Sequence, residues 1–156
     1  MARMPVQFRL NGSDRAVFVE PAETLLGTIR RGLGDFAPKF GCGQGTCGVC
    51  TVLVDGEPRL ACITLAASVT GKRIETIEGL SQSGRMSRLQ QEFHEKLGAQ
   101  CGFCTPGMVM AAEALLRREP NPSETQIREA LAGNICRCTG YIKIIESVQA
   151  AAEARP

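Results

Sequence analysis

The chain has 156 residues, 44% of them hydrophobic, and a formal charge of +2. That length suits one ordinary domain or two small ones. No basic tail and no aromatic-interleaved basic stripe is present, which argues against nucleic-acid binding. The longest apolar run falls far short of the roughly 20 residues a membrane span needs. The N-terminus, MARMPVQFRLNG, has neither a signal-peptide core nor a twin arginine. A cytoplasmic location is therefore expected, unless a partner carries the chain elsewhere.

In chain order, Val6, Phe8 and Leu10 alternate with polar residues, Asn11-Gly12 signals a turn, and AVFVE (16–20) reads as a second strand. In ETLLGTIRRGL (23–33), Leu25, Leu26, Ile29 and Leu33 have helical spacing. VCTVLV (49–54) is β-rich and ends at Asp55-Gly56, and RLACITL (59–65) and RIETIEG (73–79) read as further strands. From there the period turns helical. Met86, Leu89, Phe93 and Leu97 share one face, and Thr105-Pro106 looks like an N-cap followed by proline at the first helical position. That helix carries Met108, Val109, Ala112, Leu115 and Leu116 inward. Ser123 and Gln126 form a capping box for a third helix, with Ile127, Ala130 and Leu131 inward. Tyr141, Ile144, Ile145, Val148 and Ala152 mark a fourth. The expectation is an α+β protein: a strand-rich domain over residues 1–80, then a four-helix domain over 81–156. SQSGR (81–85) is the expected linker.

Eight cysteines are the anomaly. In a reducing compartment, clustered cysteines point to metal or redox chemistry rather than disulfides. They sort into two fours. Cys42, Cys47, Cys50 and Cys62 are spaced C-x4-C-x2-C-x11-C. Cys101, Cys104, Cys136 and Cys138 are spaced C-x2-C-x31-C-x-C. The first spacing is the plant-type 2Fe–2S pattern. A two-iron cluster needs two thiolates on each iron and a backbone wrapped closely around its sulfides. Gly41, Gly43, Gly45 and Gly48 suit such a loop. The fourth ligand is expected from the 59–65 strand. In the second set, Cys101 and Cys104 precede one helix and Cys136 and Cys138 precede another. There the helix dipole favours thiolates, and a metal group would pin helix ends together. By spacing alone, this second set also fits a structural zinc or a redox dithiol.

GQGTCG (43–48) matches the dinucleotide fingerprint G-x-G-x-x-G. It follows no strand and opens no helix, so the match is accidental. The lone histidine, His94, and the methionines Met108 and Met110 are read as surface or packing residues.

Taken together, GCGQGTCGVCTVLVDG (41–56), Ala61-Cys62, QCGFCTPG (100–107) and NICRCTGY (134–141) resemble the iron–sulfur subunit of the molybdenum hydroxylases. This is the xanthine oxidase, aldehyde oxidase and carbon monoxide dehydrogenase family, and the resemblance covers about residues 4 to 150. It implies a β-grasp ferredoxin domain with an outer cluster on Cys42, Cys47, Cys50 and Cys62. It also implies a helical domain with an inner cluster on Cys101, Cys104, Cys136 and Cys138. By the same resemblance, Gln100 and Cys138 contact molybdopterin held by a large partner subunit, and a medium FAD subunit accompanies many relatives. The chain itself would carry no catalytic acid or base. Residues 93–118 and 130–148 are especially similar to the small subunit of 4-hydroxybenzoyl-CoA reductase, a member that runs electrons in reverse. A free-standing ferredoxin shuttle and a zinc-stapled interaction module are the alternatives from other classes.

Overall fold

The computed structural model describes residues 2–81 and 83–153. The expected hairpin pairs β1 (Met4–Leu10) with β2 (Ser13–Val19) antiparallel, in the register Leu10↔Ser13. Asn11 and Gly12 both take left-handed φ, 50° and 82°, which a tight two-residue hairpin requires. Val6, Phe8 and Leu10 are buried on one face. The helical reading of 23–33 holds in shortened form. Thr24 caps α1 (Leu25–Gly27), which runs directly into a π turn at Thr28–Gly32.

β3 (Thr51–Val54) and β4 (Glu57–Leu60) follow, and β5 (Arg73–Glu75) closes a five-stranded sheet ordered β2-β1-β5-β3-β4. Only β1 and β5 pair in parallel; the other described pairings are antiparallel. Two strand expectations are corrected. Residues 61–65 leave the sheet as a turn, with the Ile63 amide bonding back to the Leu60 carbonyl. Cys62 therefore lies on a turn, not on a strand. Residues 77–80 form a 3-10 turn rather than extending β5.

The helical half consists of α2 (Arg88–Glu95), α3 (Thr105–Arg118), α4 (Glu124–Leu131) and α5 (Ile142–Glu153). Capping boxes at Ser87/Gln90 and Ser123/Gln126 start α2 and α4. Met86 and Leu97 fall outside α2 and are exposed; Leu97 takes a left-handed φ of 58° just past the helix end. The N-cap of α3 is Cys104, so Thr105 is its first helical residue rather than its cap. Of the expected linker, Gln82 lies outside the described residues, and Ser83 and Gly84 both have positive φ.

There are two apolar cores with β3 between them. All four β3 residues are buried. Val52 and Val54 join the core under the sheet, while Leu53 points into the helical core, against which α3 lies. A strand buried on both faces loses the polar alternation of a half-exposed strand. No helix among the described residues is long and apolar enough to cross a membrane.

Candidate metal centres

The loop 41–50 follows no regular element and feeds β3, so its backbone is free to curl. Gly41 has no room for a side chain. A Cβ there would lie 2.8 Å from Val49 Cγ2 and 2.9 Å from Cys47 Sγ. At Gly48 the crowding comes instead from the helical half. With φ at +71°, an added Cβ would meet the Gly133 carbonyl oxygen at 2.4 Å and the Asn134 carboxamide at 2.7 Å.

Each of the eight thiols interacts with another of its own set. Cys101 and Cys138 bring their sulfurs to 3.6 Å. Cys104 interacts with Cys136, Cys50 with Cys62, and Cys42 with Cys47. Among the described residues, no three of His, Cys, Asp or Glu close on a point that a single ion would fill. Thiols that pair without three converging on one point suit two irons with two thiolates each. A four-thiolate zinc site would draw all four sulfurs about one centre. In the helical half the pairs tie the start of α3 to the start of α5.

Protonation differs across these thiols in the metal-free chain. Hydrogen bonding from Thr46, then from the Gln44 amide, brings Cys42 down to about 5. The Thr46 and Gln44 amides lie 3.3 Å and 3.5 Å from its sulfur. Burial pushes Cys50 and Cys104 each up to about 12. For Cys104 this overrides the expected benefit of a helix N-terminus. Burial also opposes ionisation of Cys136, but hydrogen bonds from Thr139, the Cys138 amide and Cys104 together leave the thiol below its ordinary value. The Thr139 hydroxyl lies 3.1 Å from that sulfur. The neighbouring Cys101 raises Cys138.

Gln100, Cys101, Phe103 and Cys138 are exposed, so the second set opens to the surface on one side. Its inner side is closed. The hydroxyl of Thr105, next to Cys104, is buried with no partner among the described residues. An orphaned buried donor beside a cysteine fits a site that is completed by a sulfur-rich group.

Three residues near the centres lie within the motif NICRCTGY (134–141), but none was singled out for a role at the thiols. Tyr141 accepts a hydrogen bond from the Cys136 amide at 3.0 Å and donates to the Asn134 carbonyl at 3.4 Å. Thr139 serves Cys136. Asn134, buried, donates from Nδ2 to the Gly48 carbonyl at 2.9 Å. Short polar side chains beside ligand cysteines are the available signal, but many such residues cap turns instead.

This arrangement defines a ferredoxin-type protein built around two cysteine-held iron–sulfur sites, and family models agree over both halves. A "2Fe-2S iron-sulfur cluster binding domain" matches residues 8–70, and a "[2Fe-2S] binding domain" matches residues 76–149. The small FeS subunit of nicotinate dehydrogenase from Eubacterium barkeri is 43% identical, over 98% of each chain. Quinoline 2-oxidoreductase from Pseudomonas putida 86 superposes with a TM-score of 0.95 at 44% identity, covering 99% of this chain and 96% of that one. The aldehyde oxidoreductase of Desulfovibrio gigas superposes with a TM-score of 0.92 at 38% identity, covering 96% of this chain and 17% of that one. The chain belongs to the family of iron–sulfur subunits of the molybdenum hydroxylases.

Proposed function

We propose that the chain is the electron relay of a multi-subunit molybdopterin-dependent oxidoreductase. It passes single electrons through two 2Fe–2S clusters, between a molybdenum centre and FAD or another redox partner. The observation that carries this reading is the division of the eight cysteines into two sets of four, each inside its own 2Fe–2S family match, with Cys101 and Cys138 brought to 3.6 Å. In this reading Cys42, Cys47, Cys50 and Cys62 hold the outer cluster, in a domain over residues 1–80. Cys101, Cys104, Cys136 and Cys138 hold the inner one, in a domain over 81–156.

A 2Fe–2S cluster supplies a one-electron carrier whose potential depends on sulfur hydrogen bonds and solvent exposure. The chain's own residues set both. The Gln44 and Thr46 amides hydrogen-bond Cys42, and Thr139 hydrogen-bonds Cys136. Tyr141 holds the Cys136 amide in place. The exposed edge formed by Gln100 and Cys138 is the contact for molybdopterin on a large partner subunit. That partner, a medium FAD subunit and a cytoplasmic location belong to the same reading. The nicotinate dehydrogenase relative, itself described as a small FeS subunit, supports the large partner. The relatives are named for nicotinate, quinoline and aldehydes, so likeness in this chain does not track substrate.

The test is Cys138→Ser in the native complex. Substrate-driven reduction of the outer cluster is expected to stop, with loss of one of two electron paramagnetic resonance signals. Unchanged transfer in rapid-mixing kinetics contradicts the assignment.

A further inference from the structure

The loops carrying the two cysteine sets touch. The Ile135 amide donates to the Cys47 carbonyl at 2.9 Å. Cys47 belongs to the first set, and Ile135 directly precedes Cys136 of the second. One hydrogen bond thus links the backbone of a residue in one set to the peptide leading into the other. It lies near the surface: the Ile135 side chain is 52% exposed and Cys47 is half-buried. Water can compete for such a bond.

Beneath it lies a dry contact. Asn134 is 6% exposed, and its Nδ2 donates to the Gly48 carbonyl at 2.9 Å and approaches Thr51 Oγ1 at 3.3 Å. The Thr51 hydroxyl donates to the same carbonyl at 2.6 Å, which leaves its oxygen free to accept. Both contacts of the Asn134 amide are therefore acceptors, which fixes the amide's orientation. The flanking glycines bring the backbones together: a Cβ on Gly107 would lie 2.3 Å from the Gly48 carbonyl oxygen. Closeness comes from the glycines, while alignment comes from the asparagine.

We propose that Asn134 is the positioning residue for electron transfer between the two clusters, holding the Ile135 amide on the Cys47 carbonyl. This rests on the relay reading above. Electron tunnelling weakens steeply when a bonded path is replaced by a through-space gap. A buried clamp one residue from the bridging amide guards against that gap. The Asn134 side chain touches neither set of thiols in the described contacts, so its effect runs through Ile135 and Cys47.

The experiment uses the full chain loaded with iron and sulfide. Two half-spin centres that lie close together split each other's paramagnetic resonance lines when both are reduced. In Asn134→Ala, iron content and the line positions of each centre are expected to stay, the splitting to shrink or vanish, and electron redistribution after flash reduction to slow several-fold. Arg117→Ala serves as the control for a merely structural role. It cuts the Arg117–Glu75 ion pair, another tie between the halves, and is expected to leave the splitting intact. If Asn134→Ala does not load fully, Thr51→Val, which removes the second acceptor, is read in the same way. Unchanged splitting and unchanged rate in the variant that loads overturn the inference, as does equal loss of splitting in Arg117→Ala. A wild-type chain without two iron–sulfur signals would instead overturn the relay reading itself.

Discussion

Replacing Gly107 by alanine sets two effects of known size against each other. Gly107 is the third residue of α3, and alanine there favours a helix by up to about 1 kcal/mol relative to glycine. On helix propensity alone the variant is more stable. The added methyl, however, would sit 2.3 Å from the Gly48 carbonyl oxygen, 3.0 Å from Val49 Cα and 3.0 Å from Asn134 Nδ2. The first two are backbone atoms of the other half and have no alternative rotamer. Overpacking against such neighbours costs about 1–3 kcal/mol, sometimes more. The clash wins, and Gly107→Ala is expected to lose on the order of 1–2 kcal/mol net. Urea unfolding of the iron-loaded chain, followed by far-ultraviolet circular dichroism, reads the loss as a lower midpoint at unchanged slope. A midpoint equal to or above wild type would show that the two halves are not in this tight contact.

Two further predictions concern the supporting residues. Tyr141→Phe removes the hydroxyl that accepts from the Cys136 amide, at a cost of about 1 kcal/mol. Only the helical-half centre is expected to shift its paramagnetic resonance line positions, and a shift confined to the other centre would contradict the assignment. Glu75 is held below its ordinary carboxyl value by hydrogen bonds from Arg117, with two oxygen–nitrogen distances of 2.8 Å. A depressed acid contributes stability above its unfolded value, near 4.5, and loses it as pH falls through the lower folded value. Glu75→Gln is therefore expected to flatten the acid limb of a melting-temperature profile below about pH 4.5, while parallel profiles would show that the pair adds nothing.

Much of the architecture was legible because local chemistry repeats. Asn11-Gly12 fixed a hairpin, and the capping residues Ser123 and Gln126 marked where α4 begins. The close spacing of Cys42, Cys47 and Cys50 on one loop was legible, whereas Cys101 and Cys138, 37 positions apart, meet at 3.6 Å only through the fold. The rest depends on partners distant in the chain. Cys62 sits on a turn because the Ile63 amide returns to the Leu60 carbonyl, although RLACITL is apolar enough for a strand. Gly48 looks like one more loop glycine until Gly133 and Asn134, some 85 residues on, are seen against it. The protonation of Cys104 went against the helix-dipole expectation because burial, invisible in a linear pattern, dominates there. Tyr141 reads as a packing residue of the last helix, and its hydroxyl finds a role only once the 134–136 loop folds beneath it.

Electron paramagnetic resonance of the reduced wild-type chain, with iron and zinc quantified on the same sample, tests the central claim most directly. A coloured protein is expected, with two distinct 2Fe–2S signals that split one another and iron rather than zinc on both sets of cysteines. A colourless protein holding zinc, or a single iron–sulfur signal at full iron loading, would contradict it.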